Sequence, residues 1–366
     1  MTTQQPIRIL QIVYSLNRGG GVINVVLNWH RNIDRNKVQF DYLYVLKNTD
    51  TFEQEIKDLG GQIFYLNYRG IRHCFSFLKN AYKFFKEHKY KTIHSHITNL
   101  NLFFYPLAKI FGVKNIIQHA HGTKWSDKKL NGWRNYLMLH AVWPLITKKL
   151  ACSDLAGKFW YGKNYTVVNN GIDINKFTYR PEIRIAKRKE LNLENNFVIG
   201  HIGRFSNEKN HKFLIDIFEN LAKIELSALL VLVGVGPLEQ EIKNYVKEKK
   251  LQNKVLFLGV RNDVEALYQI FDALCLPSLH EGLPVTGVEA QATGLPCLFS
   301  NTITKEVLLL PESKMLGLDV SASVWAKTLL DMKNENRLNG QIALKKAGFD
   351  IKDTTQQMQR IYEGCI

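Results

Sequence analysis

Phe197-Val-Ile-Gly-His-Ile-Gly203-Arg204-Phe-Ser206-Asn-Glu-Lys209-Asn-His-Lys-Phe213-Leu-Ile-Asp-Ile217-Phe-Glu-Asn-Leu221 is the stretch that decides the fold. A β-branched apolar run of strand length gives way to a short polar loop. Apolar residues then recur at 213, 214, 217, 218 and 221, the spacing of one helix face, with Ser206 as the expected N-cap. The same strand–loop–helix unit repeats outward in both directions. Apolar runs stand at residues 7–14, 40–46, 92–96 and 115–119, then at 228–234, 255–259, 273–277 and 297–300, with amphipathic stretches between them. Continuous apolar strands alternating with helices predict an α/β chain of doubly wound parallel sheets, buried on both faces.

At 366 residues the chain exceeds what one core usually supports, so two domains are expected. Asn169-Asn-Gly-Ile-Asp173 through Pro181 is rich in turn residues and predicts the linker. The domains are therefore drawn as 1–178 and 179–348, with 349–366 crossing back onto the first. Charge divides at the same place. Residues 1–180 hold 26 basic and 10 acidic side chains (net +16), whereas 181–366 hold 23 of each. So uneven a field points to different partners for the halves, such as nucleic acid, an anionic membrane or a phosphorylated ligand for the first.

Hydrophobic residues at 45% and charged residues at 22% exclude collagen-like, low-complexity and disordered classes. No apolar run approaches the roughly 18 residues that cross a bilayer, and the first residues carry no signal-peptide pattern. The five cysteines, at 74, 152, 275, 297 and 365, form no CxxC. A reduced, cytoplasmic chain is expected.

Three motifs carry chemistry. Arg18-Gly19-Gly20-Gly21 follows the first strand and opens a helical run, where glycines admit a phosphate or sugar close to the backbone. Gly203-Arg204 to Lys209 places two cations between a strand and a helix, able to neutralise a diphosphate from two sides. His280-Glu281-Gly-Leu283-Pro-Val285-Thr-Gly-Val-Glu289 leads to Gly294-Leu-Pro296. Were both carboxylates on one regular helix, eight residues would set them about 12 Å apart along its axis. One could hold sugar hydroxyls and the other a ribose, with helix-start amides on the phosphates. The ordinary alternatives are a tight turn, two solvated cations and two solvated glutamates.

With Asn170-Gly171-Ile172-Asp173, Arg31-Asn-Ile-Asp34, Ile93-His-Ser-His96 and Ser300-Asn-Thr-Ile-Thr-Lys-Glu306, these motifs resemble the retaining glycosyltransferases of family 4. The likeness is closest to the capsular and exopolysaccharide (EpsF-like) branch and spans about residues 7–362. It implies the GT-B fold, two Rossmann-like domains facing across a cleft. It implies transfer of a sugar from a nucleotide sugar, with uracil as the base, to a glycan or polyprenyl-diphosphate-linked acceptor in surface-polysaccharide biosynthesis. By position, Arg204 and Lys209 would hold the diphosphate, Glu289 the ribose and Glu281 the donor sugar. Gly20, Gly21, Leu283 and Val285 would complete the donor site, with Val260 and Arg261 at the base. The family histidine falls in Gln118-His119-Ala-His121-Gly122; the motif favours His121, with His119 as the alternative, as a contact to the transferring sugar. Where the family usually follows the glycine pair with a polar residue, this chain has Val22-Ile23-Asn24.

Residues i and i+2 of a strand share a face, so His94–His96 or His119–His121 could suggest a metal pair, but no carboxylate or cysteine cluster supplies further ligands. No Asp-x-Asp occurs either, so no metal and no other cofactor is expected. An NAD-dependent oxidoreductase is the alternative enzyme; Gly234-Val-Gly236-Pro-Leu-Glu239 has Glu239 where a third glycine belongs. A non-catalytic membrane or nucleic-acid module is the alternative of another class, disfavoured by the donor motifs. The basic half predicts peripheral association with the anionic inner leaflet and no nucleic-acid partner. Residues 68–91 and 133–149 are the expected contacts, the latter as a helix kinked by Pro144.

Overall fold

The computed structural model describes residues 5–365 apart from 19, 69, 124, 126–128, 334–336 and 338–339. The chain divides into two units, Met1–Gly171 with Ile351–Ile366, and Ile172–Asp350.

In the first unit seven strands, β1 (Ile7–Val13), β2 (Val38–Tyr44), β3 (Ile63–Tyr65), β4 (Thr92–Ser95), β5 (Asn115–Ala120), β6 (Lys148–Ala151) and β7 (Thr166–Val167), form a wholly parallel sheet. Their order is β3-β2-β1-β4-β5-β6-β7. Every residue of β2 and β4 is buried, as a sheet covered on both faces requires. The C-terminal helix Ile351–Glu363 packs against helix Gly21–Asn32 and β2, and sets Tyr362 wholly inside.

The second unit is a six-stranded parallel sheet of β8 (Phe197–Ile202), β9 (Ala228–Val233), β10 (Val255–Phe257), β11 (Ala273–Leu276), β12 (Cys297–Ser300) and β13 (Lys314–Leu316). Its order is β10-β9-β8-β11-β12-β13. Two apolar clusters cover its faces. Val198, Val231 and Leu274 join one, and their neighbours Ile199, Leu230 and Cys275 the other. Each sheet reverses its strand order once, at β1/β4 and at β8/β11. Open α/β sheets bind ligands beyond the carboxyl ends of the strands at such a point.

Several expectations are corrected. The break between units falls at Gly171/Ile172, because Ile172, Ile174 and Phe177 are buried in the second core. Residues 133–149 are not one kinked helix: helix Lys129–Ala141 ends before a 3-10 turn, Trp143–Leu145, that contains Pro144, and Lys148 opens β6. Ser206 stands before a 3-10 turn, Asn207–Lys209, without a side-chain capping bond. The long helix starts only at His211, after Asn210 in a left-handed conformation. None of the five cysteines is in a disulfide. Among the described residues no helix is long and apolar enough to cross a membrane.

Candidate active site

In the second unit the strand-order reversal brings together the loops after β8 and β11. They are tied by main chain and side chain: Leu279 N–H donates to the Glu208 carbonyl (2.8 Å), and Asn210 Nδ2 donates to the Pro277 carbonyl (3.1 Å). The clamp sets Lys209 Nζ 2.7 Å from Glu281 Oε2, with both side chains about six-sevenths buried (15% and 14% exposed). Ser278 Oγ donates to the other carboxylate oxygen at 2.5 Å. The Ser278 carbonyl in turn accepts from Ser300 Oγ and Thr302 Oγ1, which ties the loop to the end of β12. Glu281 is thus held by a cation and a hydroxyl, both themselves anchored. Arg204 is exposed, and no described residue pairs with its guanidinium. It stands ready for an anion, while Lys209 is already shared with a carboxylate.

Glu281 and Glu289 do not share a helix, contrary to the spacing argument. Pro284 is the N-cap of a short helix, Val285–Ala292, and Glu281 lies in the loop before it. The site therefore takes its shape from the loop and not from helical periodicity. Tyr268 Oη donates to Glu289 Oε2 at 2.8 Å, and burial pushes the Glu289 carboxyl up to about 7. Leu283 is buried and Val285 opens the helix. Val260 is exposed, but Arg261 forks onto Asp263 with Nε–Oδ1 2.7 Å and Nη2–Oδ2 2.6 Å, so a base would have to compete for it.

The Gly234-x-Gly236 pair has a packing role. A Cβ at Gly234 would lie 2.2 Å from the Gly203 carbonyl oxygen, and one at Gly236 2.4 Å from that of Phe205. These glycines let the next strand end press against the Arg204 loop. That accounts for the feature that suggested a dinucleotide site.

In the first unit Gly19 lies outside the described residues. Gly20 caps helix Gly21–Asn32 with φ −87°, an ordinary conformation, so no left-handed turn demands it. A Cβ on Gly21 would meet nothing within 4 Å. Asn24, not Ile23, supplies the polar group at the helix start: its Nδ2 donates to the carbonyls of Gly20 (2.9 Å) and Arg18 (3.1 Å), while Ile23 is buried.

Four histidines converge at the ends of β4 and β5: His94 and His119 within the strands, His96 and His121 one residue beyond them. His96 Nδ1 lies 2.8 Å from His121 Nε2, and His96 Nε2 2.9 Å from Gln11 Oε1. Gln11 Nε2 donates to Tyr362 Oη (3.0 Å), which is 2.7 Å from His94 Nδ1, and His94 Nε2 is 3.3 Å from His119 Nδ1. Trp29 stacks on His94 and His119. Burial holds His121 down to about 3 and drives His94, His96 and His119 well below the ordinary imidazole value, helped by the neighbouring rings, so all four are neutral. His94, His96 and His119 each bring a nitrogen within 4.8 Å of the others, close enough to bridge an ion. His96 has both nitrogens committed to Gln11 and His121, however, and the geometry is that of a hydrogen-bond network. His119 is buried within it, whereas His121 ends it half-buried. Ser278, Gln11 and Tyr362 are site residues that no sequence motif marks.

Two family descriptions match the sequence: Glycosyltransferase Family 4 over residues 19–176 and Glycosyl transferases group 1 over residues 183–329. The chain is 32% identical to EpsF of Bacillus subtilis (strain 168) over 371 residues, covering 97% of this chain and 96% of that one. It is 30% identical over 236 residues, 61% of each chain, to an Escherichia coli UDP-Gal:alpha-D-GlcNAc-diphosphoundecaprenol alpha-1,3-galactosyltransferase. The crystal structure of Anabaena HepE in complex with UDP and glucose matches with a TM-score of 0.81 at 19% identity, covering 98% of this chain and 99% of that one.

Proposed function

The chain belongs to the family 4 glycosyltransferases, with two Rossmann-like sheets of the GT-B class, and on that premise we propose that it is a retaining enzyme using a UDP-sugar. Its acceptor in this reading is a glycan, or a sugar carried on a polyprenyl diphosphate, in surface-polysaccharide assembly. The Lys209–Glu281 pair at the strand-order reversal, beside the unpaired Arg204, carries the proposal. Arg204 and Lys209 receive the diphosphate. Glu281, fixed by Lys209 and Ser278, accepts from sugar hydroxyls, and Glu289 takes the ribose. Gly20, Gly21, Leu283 and Val285 offer main-chain approach, and Val260 with Arg261 flanks the base. His121, a neutral imidazole, contacts the transferring sugar.

In the reaction the anomeric carbon–phosphate oxygen bond breaks as the acceptor hydroxyl oxygen bonds to the same face. The hydroxyl proton passes to the departing phosphate oxygen. Negative charge grows on the diphosphate, where positioned cations stabilise it most, so the step requires no metal ion.

Placement at the inner face of the cytoplasmic membrane completes the reading. Helix Cys74–Glu87 exposes Phe75, Leu78 and Tyr82 among Lys79, Lys83 and Lys86, and helix Lys129–Ala141 exposes Trp133 and Leu137. Apolar side chains among cations suit a reversible, peripheral contact with anionic lipid. Incubation with a panel of nucleotide sugars and a polyprenyl-diphosphate-sugar acceptor tests the function: release of UDP with acceptor extension is expected, and inertness toward the whole panel would refute it.

A further inference from the structure

We propose that the Gln11 amide sets the tautomer of His121: its nitrogen turned to Tyr362 Oη and its oxygen turned to His96 Nε2 hold the His121 proton on Nε2 and leave Nδ1 bare. The nitrogen so freed accepts a hydrogen bond from a hydroxyl of the donor sugar, and in that clause the inference rests on the function proposed above. Tyr362 and Gln11 are positioning residues and touch no substrate.

Proton bookkeeping carries the argument. An amide nitrogen only donates, so Gln11 Nε2–H points to Tyr362 Oη, and Tyr362 spends its own proton on His94 Nδ1. His94 is neutral, so its proton is on Nε2 and goes to His119 Nδ1. His119 then carries its proton on Nε2, a buried nitrogen with no partner among the described residues. On the other branch the amide oxygen of Gln11 only accepts, so His96 carries its proton on Nε2. Its Nδ1 is bare and can only accept from His121 Nε2–H. No described residue bonds His121 Nδ1. All four rings therefore share one tautomer. Turning the Gln11 amide over would reverse every proton at once; a partial reversal would set two protons, or two lone pairs, face to face. The network has two self-consistent states, and the orientation of the Gln11 amide, nitrogen on Tyr362 Oη and oxygen on His96 Nε2, distinguishes them. All six residues lie in the first unit, although the chain reaches Tyr362 only after traversing the second.

The test uses full-length protein labelled with ¹⁵N-histidine at pH 7.5. Two-bond ¹H–¹⁵N spectra distinguish bare from protonated ring nitrogens, and single His→Gln variants assign the rings. In the wild type, His94, His96, His119 and His121 should all show bare Nδ1 and protonated Nε2. A mixture of tautomers among the four, or His121 protonated on Nδ1, would overturn the proposal. In Gln11→Leu the His96 Nε2–H loses its acceptor, the relay is cut, and His121 should populate both tautomers. An unchanged His121 pattern in the folded variant would also overturn it. Outcomes for the two readings separate cleanly. If the tautomers are as stated but His121→Ala turns over normally, the donor-site assignment fails while the relay stands.

Discussion

Acid should open the first unit before the second. Burial holds seven histidines neutral: His30, His94, His96, His119 and His121 in the first unit, His201 and His211 in the second. His30 and His201 fall to about 4, His121 to about 3 and His211 to about 2, and the rest well below the ordinary 6.5. The folded values are depressed, so this stability is complete above pH 6.5 and is lost as protons bind the unfolded chain below it. At pH 5.5 each histidine costs about 1.4 kcal/mol. Leaving out half-buried His121, the first unit loses about 6 kcal/mol, of the order of a whole domain's stability. The second unit loses about 3 kcal/mol, and Glu289, lifted to about 7, returns about 2 as it protonates in the folded state. Hydrogen exchange followed by mass spectrometry reads each unit separately. Between pH 7.5 and 5.5, after correction for intrinsic rates, protection of β4 and β5 should fall about 10⁴-fold and that of β8 and β11 by about fivefold. Equal losses in both sheets, or calorimetric proton uptake near zero on unfolding at pH 5.5, would show that the buried histidines do not set this difference.

Three further outcomes are expected. Proton NMR of the product should show the anomeric configuration of the donor retained, and an inverted product would remove the mechanism. Turnover should survive EDTA; strong loss restored by Mn²⁺ would mean that Arg204 and Lys209 do not suffice as counter-charges. The protein should sediment with liposomes containing anionic lipid, less so as salt rises, and Trp133→Ser with Lys79→Glu should weaken the association; binding indifferent to lipid charge and salt would leave the basic half unexplained.

Nine of the thirteen described strands are legible as mainly apolar runs, because parallel strands covered on both faces are largely apolar. The others are unreadable for stated reasons. β3, β7 and β13 are three residues or fewer at or near sheet edges, and β6 begins with Lys148-Lys149, which reads as surface. Arg204, Lys209, Glu281 and Glu289 can be picked out as chemistry-bearing, but their geometry cannot. Pro284 delays the helix past Glu281, and only the adjacency of β8 and β11 joins Lys209 to a carboxylate 72 positions away. The same-face histidine pairs follow from strand alternation. Gln11 and Tyr362 do not, because their roles depend on strand order and on where the last helix docks.

The loops after β8 and β11 are the proposed nucleotide-sugar site. Calorimetric titration of UDP and NADH into the wild type, Arg204→Ala and Lys209→Ala, paired with single-turnover rates, tests it most directly. UDP should bind and NADH should not, and each substitution should cost about 2 to 4 kcal/mol of transition-state stabilisation in a chain that still folds. Near-normal turnover in either variant, or binding of NADH in place of UDP, would contradict it.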